Sequence, residues 1–92
     1  MALTGHGNRS DLLITAASAS AQLCAAEDSN RKVFFIQNND ASNPMYLGPS
    51  GVTTSAYQVK VAAGGSHTDK TTRAAWYVIA GGAISISGYT GT

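Results

Sequence analysis

The 92-residue chain has few charged residues: six lysines and arginines stand against five aspartates and glutamates. Charged side chains make up 12% of the sequence, roughly half the usual fraction for a soluble domain, and the formal net charge is +1. Nucleic-acid binding needs clustered Lys and Arg to neutralise phosphates, so this balance argues against a nucleic-acid partner. A surface poor in charge instead favours a protein that is packed against other protein surfaces.

Cysteine and long apolar runs are also scarce. The single cysteine, Cys24, excludes an intramolecular disulfide, and its apolar setting AQLCAA predicts a buried, unreactive thiol. The apolar run Leu12 to Ile14 is three residues long, whereas a secretion signal needs about seven to fifteen. No segment approaches the roughly 20 apolar residues of a membrane span, so the sequence predicts a soluble protein without a membrane partner.

Residues 48 to 55, GPSGVTTS, have the glycines and hydroxyls of a phosphate-binding loop. A nucleotide-hydrolase loop requires Lys and then Ser or Thr after its second glycine, but Val52 follows Gly51 here. Pro49 lacks a backbone N–H donor, and no helix is predicted to follow. We therefore predict a turn whose hydroxyls satisfy nearby backbone groups and whose exposed tip contacts a neighbouring molecule.

Three further groups contain reactive side chains but lack the spacing of a site. His6 and His67 have no Cys or His at metal-ligand spacing, so both are expected in solvent. The segment SHTD, residues 66 to 69, holds triad residue types, but triad members converge from separate elements, so an Asx-type turn is preferred. Asp40 with its neighbouring asparagines would give calcium only one carboxylate. The sequence predicts no catalytic residue, no metal, no cofactor and no enzyme activity.

Short apolar and alternating segments separated by turn residues predict an all-β chain. Residues 32–38 and 73–80 are apolar on both sides, so one face of each needs a second sheet or another chain to cover it. Residues 57–62 and 83–89 alternate between apolar and polar side chains. Residues 12–26 permit either an Ala-rich helix or one or two strands, and their period-two alternation favours extended structure. A further strand is expected at 45–48. The glycine pair 81–82 predicts a hairpin turn between the last two strands.

These segments amount to six or seven short strands, which is typical of a small antiparallel β-sandwich or jelly-roll-like barrel. Residues 12–92 are expected to form this single domain. Residues 1–11, rich in Gly, Asn, Ser and Thr, are expected to form a flexible N-terminal arm. The adjacent basic residues Arg31 and Lys32 are expected to flank a strand as a solvated edge.

The order of RKVFFIQNND, PMYLGPSGVTTS, AAGGSHTD, AAWYVIAGG and AISISGY resembles small β-rich structural proteins of tailed bacteriophages. In that group an Arg-led strand ending in QN leads to YLG and a GVT loop, then to a glycine turn and a last hairpin. The resemblance spans residues 31 to 89. It implies a virion component, such as a capsid decoration or cement protein or a module of a head or tail appendage, and it brings no active-site residues.

Composition and resemblance together favour a capsid decoration or cement protein, made in the host cytoplasm and located in the virion, on the capsid surface or an appendage. Its expected partners are the major capsid protein or another virion protein, and further copies of itself, with a trimer preferred. Copies that bridge capsomers bind only the assembled lattice and so stabilise it. The expected interface residues are Thr4, His6, Asn8, Arg9 and Asp11 in the arm, and Phe35 and Tyr77 on apolar strand faces.

A carbohydrate- or receptor-binding module of a head or tail fibre is the second hypothesis, because exposed Trp or Tyr rings stack on sugars. Quenching of Trp76 fluorescence by iodide separates the two, since a core tryptophan resists the quencher and a binding platform does not. An enzyme is the third hypothesis. Against it, no pair of titratable groups stands where a fold would obviously join them.

Overall fold

The computed structural model describes residues 9–16 and 20–92, which form eight β-strands. The strands are β1 (Arg9–Ala16), β2 (Gln22–Ala25), β3 (Val33–Asn38), β4 (Met45–Gly48), β5 (Val59–Val61), β6 (Ser66–Asp69), β7 (Trp76–Ala80) and β8 (Ile84–Gly91). No helix occurs within these residues, so the all-β prediction is confirmed, with eight strands in place of six or seven.

The strands form two antiparallel sheets of four strands each. The first sheet has the order β1-β8-β3-β6 and the second has the order β2-β7-β4-β5. The first four strands thus pair with the last four in reverse sequence, β1 with β8, β2 with β7, β3 with β6 and β4 with β5. This is the connectivity of a jelly roll, and it confirms the predicted small antiparallel sandwich.

Alternate side chains from the two sheets form one core between them. Phe34 of the first sheet stacks on Trp76 of the second, with ring centroids 5.6 Å apart. Ile84 and Ile86 are buried whereas Ser85 is exposed, as the alternation predicts. The core cluster consists of Ala16, Ala25, Phe34, Ile36, Met45, Leu47, Val61, Trp76, Val78, Ala80, Ile84 and Ile86.

The turn at Gly81 and Gly82 joins the two sheets, so the predicted hairpin between the last strands is wrong. β7 pairs with β2 and β4, whereas β8 pairs with β1 and β3. The tight hairpin turns require a positive φ at one or both central residues. Within the described ranges, Gly64 is the only residue with a positive φ. Because β7 and β8 are each paired on both edges, the turn carries the chain across the core.

The segment expected as a turn at residues 66 to 69 is instead the strand β6, an edge strand paired with β3. Its polar sequence gives little strand signal, and pairing with the apolar β3 determines its conformation. The Asx-type bonds lie directly after the strand, where the Asp69 carboxylate accepts the backbone N–H groups of Thr71 and Thr72.

Arg31 is buried, so the prediction that it forms a solvated strand edge is wrong. The residue is 3% exposed, and its guanidinium donates to the carbonyl oxygens of Ala26, Thr72 and Ala74 at 3.0, 2.8 and 2.7 Å. These bonds replace water and tie two connecting segments to the start of β3. Lys32 is exposed, as predicted.

A second buried polar residue fixes the opposite end of β3. Asn38 is fully buried, and its Nδ2 donates to the carbonyl oxygen of Asn43 at 2.9 Å. Its Oδ1 accepts the backbone N–H of Asp40 at 2.9 Å. The amide therefore orders the turn between β3 and β4 from the inside.

Candidate functional site

The first sheet presents two aromatic residues and a leucine among polar residues on the side away from the core. Leu12 and Ile14 of β1 pack against the core, so the alternate residues Asp11 and Leu13 point outward. We call this outer surface the Phe35 face. It comprises Asp11, Leu13, Phe35, Gln37, Ser87 and Tyr89.

Two aromatic rings stand at the centre of the Phe35 face. In register, Asp11 of β1 lies beside Tyr89 of β8, which lies beside Phe35 of β3. The rings of Phe35 and Tyr89 stack with centroids 5.4 Å apart and an interplanar angle of 29°. Both residues are only half-buried, and Leu13 next to them is 77% exposed.

Polar residues border the aromatic pair. Leu13, Ser87, Gln37 and Ser66 form the next row across the sheet. Ser87 Oγ accepts a hydrogen bond from Asn39 Nδ2 at 3.1 Å, and Gln37 Nε2 donates to a backbone carbonyl at 3.1 Å. An apolar centre with a polar rim is the usual anatomy of a protein–protein interface.

The strand β1 adds an open edge to this face. All eight of its residues are in register with β8 on one side. Its other side has no strand partner among the described residues. β1 contains neither Pro nor Lys, two residues that commonly block edge pairing, but it does contain the charged residues Arg9 and Asp11.

The structure brings together some of the predicted interface residues. Arg9 and Asp11, expected in the arm, belong to β1, and Asp11 shares a row with Phe35. Tyr77 lies on the opposite sheet. Thr4, His6 and Asn8 fall outside the described residues.

The sequence prediction did not include Leu13 or Tyr89 among the interface residues. A signal for each was present, because Leu13 alternates with the core residues Leu12 and Ile14, and Tyr89 follows the outward Ser85 and Ser87 at a spacing of two.

The second sheet also has an outer face, which we call the Tyr77 face. It comprises Leu23, Tyr46, Gly48, Tyr77 and Ile79. Leu23 pairs with Tyr77, Gly48 pairs with Tyr77, and Tyr46 pairs with Ile79. Ile79 lies outside the core cluster, yet it is only 6% exposed.

Residues 49–58, the loop between β4 and β5, cover this second face. Val52 is 4% exposed and lies so close to Gly48 that a Cβ added there would come within 3.2 Å of Val52 Cγ2. The ring of Tyr57 packs on that of Tyr46, with centroids 4.9 Å apart. Glycine at position 48 therefore allows the loop to lie flat on the sheet.

The loop 49–58 is held by local hydrogen bonds of the kind the sequence suggests. The N–H of Val52 donates to the carbonyl of Pro49 at 2.9 Å. Thr53 Oγ1 accepts the backbone N–H groups of Ser55 and Ala56 at 3.3 and 2.9 Å. The hydroxyl thus satisfies backbone groups of the turn.

The residues considered for triad chemistry are not arranged for it. Ser66 pairs with Gln37 on the outer side of the first sheet, whereas His67 pairs with the core residue Ile36. The two side chains therefore point to opposite sides of β6. His67 is half-buried, and its ring lies edge-on to the ring of Trp76 with centroids 5.9 Å apart. The prediction that His67 lies in solvent is therefore wrong.

The Asp40 carboxylate, considered for calcium, is engaged by its own turn. It accepts the backbone N–H groups of Ser42 and Asn43 at 2.9 and 2.6 Å, and these bonds lower its pKa. No group of three or more His, Cys, Asp or Glu residues that could hold a metal ion occurs in the described part of the chain. Burial raises the pKa of the Cys24 thiol to about 12, so the thiolate is scarce at neutral pH.

Comparisons with protein-family models, with curated proteins and with solved structures give no match to this chain. Within the described residues, no helix has the length and apolar character needed to cross a membrane.

Proposed function

We propose that this protein is a non-catalytic structural subunit, a capsid decoration or cement protein of a tailed bacteriophage. The resemblance over residues 31 to 89 supports the phage assignment. The low charge supports a protein that packs closely against other chains.

The observation that carries the proposal is the uncovered Phe35 face. Each Å² of apolar surface removed from water contributes about 25 cal/mol, so a second protein surface placed over Leu13 and the two rings is favoured. Aromatic side chains at the centre of a patch with a polar rim are typical anchors of such contacts.

The proposed occupant of the Phe35 face is a second copy of this chain, in a homo-oligomer with a trimer preferred. The net charge of +1 sets little repulsion between copies. The open edge of β1 is continuous with the face, so strand pairing and apolar contact can form together.

Attachment to the shell is proposed to use the N-terminal residues and the sandwich edges, with the major capsid protein as partner. A subunit that binds only the assembled lattice stabilises it by mass action. Because Arg9–Asp11 belong to β1, a deletion that tests attachment without cutting the strand removes residues 1–8 alone. We expect that variant to keep its fold and lose attachment to heads.

Mass spectrometry of purified particles, with copy number, tests the assignment. Phage particles that contain this protein are expected to hold hundreds of copies, because a decoration protein binds at repeated positions of the capsid lattice. A dozen copies or fewer would contradict decoration and support the appendage hypothesis. Absence from the particles would contradict both.

A further inference from the structure

The loop 49–58 forms an open pocket beside Tyr57. The pocket has a volume of about 280 Å³ and is lined by Pro49, Gly51, Val52, Ala56, Tyr57 and Gln58. None of these side chains is charged. Sites for drug-sized molecules measure roughly 300–1,000 Å³, so this pocket accommodates a group of about one ring.

Tyr57 supplies an aromatic wall whose position is fixed. The residue is 45% exposed, and its ring is tilted by 51° against the ring of Tyr46. Tyr46 is itself held, since it lies between β5 and β7 and has Lys60 Nζ 5.8 Å from its ring centroid. A ring supported on one side and open on the other is preorganised for stacking.

Gln58 supplies a polar group next to this wall. Its backbone N–H donates to the carbonyl of Leu47 at 2.8 Å, which anchors the residue to β4. Its side chain is exposed and forms no hydrogen bond within the described part of the chain. The carboxamide therefore offers a donor and an acceptor at the pocket mouth.

We propose that this pocket binds a neutral sugar ring, a function separate from association through the Phe35 face. A pyranose has an apolar C–H face that stacks on an aromatic ring and hydroxyls that pair with a carboxamide. A phosphate or carboxylate ligand would find no charged partner among the lining residues. The volume is large enough for a single sugar residue.

Backbone amide shifts in NMR titrations test the proposal. The probes are the methyl glycosides of glucose, galactose, mannose and N-acetylglucosamine. At least one is expected to shift the amides of Gly51, Val52, Ala56 and Gln58, with a Kd of about 1–10 mM for so small a contact.

Two variants and a control connect the shifts to the stacking wall. Tyr57→Ala is expected to weaken binding by tenfold or more, whereas Tyr57→Phe keeps the ring and the affinity. Leu13→Ala, on the outer face of the opposite sheet and outside the pocket lining, is expected to leave binding unchanged. Unfolding midpoints of all three show whether each variant is folded.

Three results would overturn the proposal. The first is no shift in the pocket amides with any glycoside at about 100 mM, ten times the weakest expected Kd. The second is equal binding by folded Tyr57→Ala. The third is a set of shifts produced by a proline-rich peptide and by none of the sugars, which would assign the pocket to protein recognition.

Discussion

The two outer faces of this sandwich each carry packed aromatic rings and differ in what covers them. On the second sheet, residues 49–58 fold back so that Val52 packs on Gly48 and Tyr57 packs on Tyr46. On the first sheet, Phe35 and Tyr89 stack on each other beside a Leu13 that is 77% exposed. No described segment of the chain lies over this face as residues 49–58 lie over the other.

The difference concerns two strands that are apolar on both sides, so that each has one apolar side outside the common core. β3 and β7 are both apolar on both sides, and each has one side in the common core. Beside the other side of β7, residues 49–58 pack on the neighbouring strand β4 through Val52 and Tyr57, and Ile79 of β7 is only 6% exposed. The other side of β3 carries the half-buried Phe35 on the Phe35 face, and this contrast underlies the proposed function.

The largest expected effect on stability comes from a substitution that disrupts the pairing of β8 with β3 in the first sheet. A Cβ added at Gly88 would overlap the carbonyl oxygen of Phe35 and lie 2.9 Å from Ile36 Cα. Gly88→Ala therefore forces β8 away from β3 and is expected to lower the free energy of unfolding by about 3 kcal/mol. Urea denaturation of wild type and variant measures this difference in the free energy of unfolding.

Gly51→Ala is the matched control for that change, because an added Cβ at position 51 meets nothing within 4 Å. Its free energy of unfolding is expected to stay within about 0.5 kcal/mol of wild type. Equal stability of the two variants would contradict the described packing of β8 on β3.

The next prediction compares the loss of stability when a buried and an exposed apolar side chain are each shortened to alanine. Val52→Ala removes two methyl groups from a side chain that is 4% exposed and is expected to cost about 2 kcal/mol of stability. Leu13→Ala removes more apolar volume, yet it is expected to change monomer stability by less than about 0.5 kcal/mol. Denaturation of dilute, monomeric samples gives both values, and a Leu13→Ala cost as large as that of Val52→Ala would remove the distinction between the faces.

The smallest expected effect is a pH dependence of the free energy of unfolding that comes from Asp69 in β6, the edge strand opposite β1 in the first sheet. Partial burial raises the pKa of Asp69, but hydrogen bonds from Thr71 and Thr72 outweigh this and leave it lowered. A carboxyl group whose pKa is lowered by folding stabilises the folded state at pH values above its ordinary pKa of about 3.9. This stabilisation is lost as the pH falls through the pKa that the group has in the folded protein.

Asp69→Asn tests this linkage. The variant is expected to be less stable than wild type at pH 7, with a difference that shrinks toward zero as the solution is acidified. Glu27→Gln, at an exposed position in the connection after β2, is the control. A wild-type advantage over Asp69→Asn that grows on acidification would contradict the sign.

The sequence predicted the sandwich because alternation and doubly apolar segments are local signals. The Gly81–Gly82 hairpin failed because a turn dipeptide does not specify its strand partners, and in a jelly roll β7 and β8 pair with distant strands. Burial of Arg31 could not be predicted, since the carbonyls of Ala26, Thr72 and Ala74 meet only after folding. For the interface, the pattern of β3 indicated Phe35, but the covering of Tyr77's sheet by its own loop required the structure.

Sedimentation of two matched variants tests the central claim that the Phe35 face is the association surface. Leu13→Asp places a carboxylate on the uncovered face, and Leu23→Asp places one at an exposed leucine, 49% accessible, on the covered sheet. Wild type and Leu23→Asp are expected to sediment as oligomers, with three times the 9.4 kDa chain mass preferred, whereas Leu13→Asp sediments as a monomer. A monomeric wild type, or dissociation by Leu23→Asp and not by Leu13→Asp, would contradict the account.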